Sequence, residues 1–219
     1  MRDTRSLQAK SYDYLLGRIK EGGLVPGQIY SLNKMAKEAG LSRTPFRDAV
    51  IKLEQERYID VIPSKGFMLH EMTLEDFTET CQFREALELY CLKQLSEHLE
   101  TERGQQYFHK LEKKVELQRE ILESDQPSAE KFGQKDYEFH RSMIQYVGNE
   151  SMLEIYRRFM YRIYWINVNS FKKEGRMQDT YEEHTKILKM VQTHDIAGLE
   201  QLLNHHLSIA KQINEELLA

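Results

Sequence analysis

The strongest constraint on this chain is where its helix-breaking residues lie. Three of the four prolines (Pro26, Pro45, Pro63) and six of the eleven glycines come before residue 67, and the chain beyond reads almost entirely as helical periodicity. Proline ends or kinks a helix and glycine marks turns, so the first third must be short elements and tight connections and the rest a set of longer helices. Charge divides at the same place. Residues 1–70 carry 12 Lys and Arg against 8 Asp and Glu, and the remainder 19 against 27. A small basic module followed by an acidic helical body suits a partner that is itself a polyanion. The expected domains are residues 1–72 and 73–219.

In the basic part, Leu7, Tyr14, Leu15 and Ile19 give one apolar helix face, closed by Gly22 and Gly23 and followed by a Pro26–Gly27 turn. Ser31 is placed to cap a short helix with Leu32, Met35, Ala36 and Ala39 inward. Gly40 makes a turn, and Ala49, Val50 and Leu53 face the core from the next helix. Two strand-like runs, Tyr58 to Ile62 and Phe67 to Leu69, flank Pro63, Ser64, Lys65 and Gly66. Three helices and a basic-tipped hairpin make a winged helix-turn-helix. The third helix begins Ser42-Arg43-Thr44-Pro45-Phe46-Arg47, with two arginines in the turn where the macrodipole favours anions. Arginine, hydroxyls and free helix N–H groups together suit phosphate oxygens and base edges, which makes this a candidate DNA-reading helix.

From Thr73, which forms a capping-box pattern with Asp76, about six amphipathic helices are expected, broken at Thr101 to Gly104, Ser124 to Ser128, Gly148 to Ser151, Lys172 to Arg176 and Thr193 to Gly198. The expected fold is mainly α: a winged helix-turn-helix followed by an antiparallel all-α bundle. No run approaches the roughly 20 apolar residues needed to span a bilayer, and Met1, Arg2, Asp3, Thr4, Arg5 lack a secretion-signal pattern. A cytoplasmic location, without a membrane partner, is the expectation. Cys81 and Cys91 share one helical pattern without CxxC spacing and read as buried thiols.

Four side chains in the acidic body fall together by periodicity. Asp136 and His140 are one helical turn apart and project from one face. His184 and His206 lie ten and twelve residues either side of His194, so the break there folds their helices into a hairpin that makes them neighbours. Phase selects His206 over His205: Leu202, His206, Ile209 and Ile213 share an apolar face, whereas His205 falls with Gln201, Ser208 and Gln212. One carboxylate and three imidazoles converging in a bundle are costly as packing and workable as metal ligands. Zn²⁺, Ni²⁺, Mn²⁺ or Fe²⁺ suits such a set.

Tyr12, Leu15, Ile19, Pro26–Gly27, Ala36, the run Gly40 to Pro45, Arg47, Ala49, Leu53, Pro63 and Gly66 resemble the DNA-binding domain of GntR-family bacterial transcription regulators. Arg84 with Leu87–Glu88, Asp136 with Phe139–His140, Gly148–Asn149, His184 and His206 resemble the helical FCD effector domain of that family's FadR subfamily. The resemblance implies that Arg43, Thr44 and Arg47 face the major groove of a palindromic operator read by a homodimer. Ser42 and Thr44 would serve as caps and phosphate ligands together. Lys65 and Gly66 would approach the DNA from the wing tip, Gly66 because the approach leaves no room for a Cβ. It implies the same four metal ligands, and open coordination positions that accept the carboxylate of a small organic acid effector. Arg84 would pair with that carboxylate, unless it is spent on an i,i+4 ion pair with Glu88. Sugar acids, hydroxy acids, amino acids and fatty acids all fit at this level.

Two positions depart from the family pattern. Arg57 stands where glycine usually follows the recognition helix, so a differently shaped helix end is expected. Phe46 replaces a smaller aliphatic and should thicken the packing beneath that helix. The reading is thus of a regulator, with repression the expected mode. In a variant of it the metal itself is the signal. An enzyme is disfavoured, because there is no HExxH and no nucleophile with a paired base.

Overall fold

The computed structural model describes residues 6–20 and 23–218. Gly22 and the Met1 to Arg5 start lie outside the described residues. The chain forms two compact units, Met1–Met72 and Thr73–Ala219.

The first unit is built from α1 (Leu7–Lys20), α2 (Leu32–Glu38), α3 (Arg43–Gln55), β1 (Ile59–Ile62) and β2 (Gly66–Leu69). Leu15, Phe46, Ala49 and Leu53 are fully buried where α1 packs on α3. Phe46 fits beneath α3 with its ring centroid 6.3 Å from that of Tyr14. Leu7 departs from expectation: it is 55% exposed, and Ser11, one turn on, is buried instead with its hydroxyl donating to the Leu7 carbonyl at 2.8 Å. A serine satisfied within its own helix is buried at little cost, and composition alone hides this.

Both α2 and α3 end in the same six-to-one closure. Leu41 N–H donates to the Ala36 carbonyl and Tyr58 N–H to the Leu53 carbonyl, each at 2.9 Å. The residue between must adopt the left-handed conformation: Gly40 has φ 67° and Arg57 φ 58°. The expected change in helix shape at Arg57 is therefore wrong. The chain keeps the glycine-type ending and carries a strained non-glycine residue there, because Tyr58, itself buried, locks the closure through its N–H bond to the Leu53 carbonyl.

The two strands are antiparallel, with Ile59 opposite Leu69 and Ile62 opposite Gly66. Phe67 extends the pairing to Tyr30, exchanging hydrogen bonds of 2.7 and 3.0 Å with it. This explains Gly66 in terms different from those expected. Its φ is 144°, and a Cβ there would lie 2.0 Å from the Tyr30 carbonyl oxygen, so the protein's own backbone already excludes a side chain.

The second unit is an all-α bundle: α4 (Leu74–Glu97), α5 (Glu102–Leu122), α6 (Ala129–Val147), α7 (Glu150–Arg158), α8 (Met160–Phe171), α9 (Arg176–Gln192) and α10 (Ile196–Leu218). Thr73 and Asp76 form the expected capping box, while Thr101, Ser128 and Asn149 each cap their helix through the side chain. The expected breaks are all present, but there are seven helices among the described residues rather than six. The unforeseen break is at Phe159, whose N–H bonds the Tyr156 carbonyl at 3.1 Å. No glycine or proline signals it. Phe159 stacks on Phe83 at 3.9 Å, and the Arg162 guanidinium lies over the Phe159 ring at 4.2 Å, so tertiary packing makes the corner.

Leu92, Leu95, Phe139, Ile144, Val191 and Leu203 form the centre of the core. Cys91 is buried, Cys81 half-buried, and both are free thiols. Among the described residues no helix is long and apolar enough to cross a membrane.

Candidate functional site

Each unit presents one candidate site. On the first, Ser42, Arg43, Thr44 and Arg47 are all exposed at the start of α3. Ser42 occupies the N-cap, yet its hydroxyl bonds no helix N–H. The expected cap does not form: the third helical residue, Pro45, has no N–H to offer, and the hydroxyl does not bond the Thr44 N–H either, just as the Ser31 hydroxyl leaves α2 uncapped. The serine hydroxyl and the first backbone N–H groups are therefore left for an external acceptor. No acidic residue occupies the first turn, and among the described residues neither Arg43 nor Arg47 makes an ion pair. Lys65 is exposed at the wing tip, with Ser64 beside it at φ 62°, and Gly66 is half-buried.

In the second unit Asp136, His140, His184 and His206 come together, each offering one ligand atom within 4.8 Å of the others. Asp136, His140 and His184 are fully buried and His206 is 4% exposed, whereas His205 is exposed. His140 Nε2 lies 3.2 Å from both His184 Nε2 and His206 Nε2. Asp136 Oδ1 is 3.6 Å from His140 Nε2 and 3.5 Å from His184 Nε2.

The other side of each ligand is held from outside the cluster. His184 Nδ1 pairs with Gln118 Oε1 at 2.9 Å and His206 Nδ1 with Glu183 Oε2 at 2.6 Å. His140 Nδ1 is 2.8 Å from Glu88 Oε2, a close charge contact that lacks the alignment of a hydrogen bond. Asn167 Nδ2 donates to Asp136 Oδ2. Arg176 in turn grips Glu183 with two bonds of 2.8 and 2.9 Å. An acceptor on Nδ1 fixes the proton there and turns the Nε2 lone pair inward, the outer-shell arrangement typical of metal-ligating histidine.

Ionisation follows from the same contacts. Burial, with His206 and His140 alongside, pushes His184 well below its ordinary value. Burial also lowers His206, against the pull of Glu183. At His140 burial is outweighed by the Glu88 carboxylate, which raises it. Burial is likewise outweighed at Glu88 by Arg84, and at Glu183 by the bonds from His206 and Arg176, so both carboxyls are held down at about 2. Three Nε2 lone pairs and one carboxylate oxygen thus face one point, and a proton on His140 can satisfy only one of its neighbours. Asp136 Oδ1 has no hydrogen-bond partner. A divalent cation of the N,O-liganded kind fits this donor set, and the cluster could hold one.

Arg84 lies beside the cluster on α4, 3% exposed. Its Nε bonds Glu88 at 2.7 Å and its Nη1 faces Asn167 Oδ1 at 3.4 Å, so the i,i+4 pair exists, but Nη2 has no partner. Sequence reasoning missed Gln118, Asn167, Glu183 and Arg176, and placed Glu88 only as a partner of Arg84. Gln118 left a signal: it continues the core stripe of Leu111 and Val115 and is fully buried among them. Asn167 likewise interrupts the apolar run of Ile163, Ile166 and Val168.

Residues 7–69 match the bacterial regulatory proteins of the gntR family, and residues 79–208, more than half of the chain, match the FCD domain. The HTH-type transcriptional regulator YdhC of Bacillus subtilis is 22% identical over 94% of this chain and 91% of its own length. The HTH-type transcriptional repressor GlaR of Escherichia coli is 20% identical over 95% of this chain and 96% of its own. A GntR transcriptional regulator from Rhodococcus sp. RHA1, 18% identical, shares the fold with a TM-score of 0.76 over 96% of this chain and 99% of that one.

Proposed function

The chain belongs to the gntR family of bacterial regulatory proteins and carries an FCD domain after its DNA-binding unit, which makes it a DNA-binding transcriptional regulator; from that premise we infer that it is a repressor controlled by a small carboxylate at a metal centre. The mode follows relatives named as repressors, GlaR and RspR of Escherichia coli. Acting in the cytoplasm as a homodimer, it would present two α3 helices to a palindromic operator. Arg43 and Arg47 supply the bidentate donors that suit guanine, and Thr44 stands between them. Ser42, with its hydroxyl unspent, and Lys65 at the wing tip are phosphate ligands, and Gly66, whose missing side chain is required by the Tyr30 carbonyl, would meet the DNA through its backbone alone.

The observation that carries the regulatory half is the inward convergence of His140, His184 and His206 Nε2 with Asp136 Oδ1, each held from behind. Those four residues would hold a divalent ion, with zinc, nickel, manganese and iron all suited to the set. When bound, it supplies a Lewis-acidic point for an effector oxygen. Arg84 keeps one guanidinium nitrogen uncommitted beside it, which serves the effector carboxylate by a charge-assisted hydrogen bond.

The test is fluorescence anisotropy on DNA from upstream of the protein's own coding sequence, with metal-free protein, zinc alone, and zinc plus a panel of carboxylates. Operator affinity should change in the carboxylate arm. A change with zinc alone, and none on adding carboxylates, would make the metal itself the signal. Constant affinity in all three would remove the site from regulation.

A further inference from the structure

The outward face of α3 carries one apolar side chain among polar ones. Phe46, Ala49, Val50 and Leu53 form the inner stripe of the helix and are buried. With about 100° of rotation per residue, the face opposite them runs through Thr44, Arg47, Asp48, Ile51 and Gln55, and all five are exposed. Ile51 is the odd member, 39% exposed. It falls about 20° around the axis from Thr44 and about 40° from Arg47, and about 6 Å beyond Arg47 along the axis.

A single exposed isoleucine is ordinary on a protein surface, so its position decides what it means. Among the described residues of the first unit, the other large apolar side chains left open are Leu7 at the start of α1 and Val25 and Ile29 in the connection to α2. Only Ile51 among these stands on the helix headed by Arg43 and Arg47.

The two longer side chains beside it that have apolar stems to cover it are turned elsewhere. The Lys52 ammonium lies over the Tyr12 ring at 4.5 Å and 4.0 Å from the Glu56 carboxylate, and Glu54 Oε1 accepts from the Val61 N–H at 3.2 Å. Its other neighbours one turn away, Arg47, Asp48 and Gln55, are polar. The fold thus leaves a β-branched side chain, stiff at χ1, on the face that a partner meets, and such a side chain gives up little rotamer freedom on contact.

That partner is DNA, because residues 7–69 belong to a DNA-binding family. Base edges in the major groove offer hydrogen-bond donors, acceptors and one apolar group, the C5-methyl of thymine. Isoleucine against a donor or an acceptor would desolvate that group and return no hydrogen bond. Against the thymine methyl it removes apolar surface from water on both sides. A distance of about 6 Å from Arg47 spans at most about two base-pair steps of roughly 3.4 Å.

We propose that Ile51 is a specificity-determining residue of the operator contact, packing on the C5-methyl of a thymine within two base pairs of the one read by Arg47. This rests on the placement of α3 in the major groove made above and adds a base to what it reads.

The test removes the methyl and nothing else. The full-length chain selects its site from a random duplex pool, each thymine of the enriched site is replaced in turn by deoxyuridine, and affinity is read by fluorescence anisotropy. At one position per half-site the replacement should weaken the wild type by about three- to fivefold, the loss expected for one buried methyl. Ile51→Ala should bind the parent site more weakly by a similar factor and be indifferent to that replacement, while Ile51→Leu should keep the sensitivity. Alanine favours an exposed helical position, so the variant retains the fold. No sensitive thymine in the wild type overturns the assignment. So does a loss that Ile51→Ala retains, because the methyl would then act through the shape of the DNA. Arg43→Ala on the same site keeps the two levels apart. If it weakens binding while the Ile51 arm shows no coupling, only the methyl contact falls; if it leaves affinity unchanged, α3 does not read the groove and the contact falls with it.

Discussion

Replacing Gln118 with leucine tests the metal centre without touching a ligand. Gln118 Oε1 accepts from His184 Nδ1 at 2.9 Å, so its loss frees that proton. The ring then gains by moving the proton to Nε2, 3.5 Å from the partnerless Asp136 Oδ1, which turns a donor instead of a lone pair toward the centre. Removing an outer-shell partner of this kind costs about 10- to 100-fold in metal affinity. At a zinc concentration 100 times the wild-type Kd, binding stabilises the folded protein by about 2.7 kcal/mol, and the variant at the same concentration keeps only about 1.4 to 0.4 kcal/mol. With roughly 2–4 °C per kcal/mol for a unit of this size, zinc should raise the melting temperature of the wild type by roughly 5–11 °C and of Gln118→Leu by roughly 1–6 °C. Scanning calorimetry of chelator-treated protein, with and without zinc, measures both increments. An unchanged increment in the variant would refute the tautomer argument. No increment in the wild type would show that the cluster is not a metal centre.

Arg43→Ala should weaken operator binding by about 5- to 100-fold and relax discrimination at one base position, whereas Lys65→Ala should weaken all sequences alike, as gel-shift titration on operator and scrambled DNA can show. Gly66→Ala forces a Cβ onto the Tyr30 carbonyl and should cost about 2 kcal/mol or more locally, read as faster hydrogen exchange at the Phe67 amide. Arg57→Gly should stabilise the first unit by about 0.5–1 kcal/mol by relieving the left-handed strain, measurable as a higher urea midpoint. Acidification should destabilise the metal-free second unit in two stages. His184 and His206 have folded values below 6.5, so the unfolded chain takes up protons first and stability falls as pH drops through that value, with His140, raised, opposing in part. Glu88 and Glu183 then release their contribution as pH falls from about 4.5 toward 2. Denaturant midpoints at pH 7.5, 5.5 and 4 that stay level would contradict this.

Where local chemistry decides the structure, the residues could be read directly. The Thr73–Asp76 box, the left-handed Gly40 and Gly148, and the phase that puts His206 inward and His205 outward all depend on neighbours within a turn or two. The choice of the four cluster residues was legible for the same reason, since helical period and one hairpin place them. What escaped is set by distant partners. The corner at Phe159 exists because Phe83 and Arg162 clasp it, and both lie in other parts of the sequence or beyond the break. Gln118, Glu183 and Asn167 acquire meaning only from the ring or carboxylate each one faces. Ser31 and Ser42 show the reverse failure: both occupy the N-cap that residue type assigned to them, and neither hydroxyl bonds a helix N–H.

Six of the seven described helices of the second unit contribute to one point: α6, α9 and α10 through ligands, α4, α5 and α8 through Glu88, Gln118 and Asn167. Fraying of a single terminus therefore does not uncover the cluster, and even α7 is tied to it, since the buried Tyr156 hydroxyl donates to Glu88 at 3.1 Å. An ion seated there can exit when the bundle as a whole opens, so its escape into a chelator should have the steep temperature dependence of unfolding and not that of surface dissociation. On the timescale of a bacterial response the occupied centre would then behave as a fixed part of the fold, and rapid signalling would fall to whatever exchanges beside it.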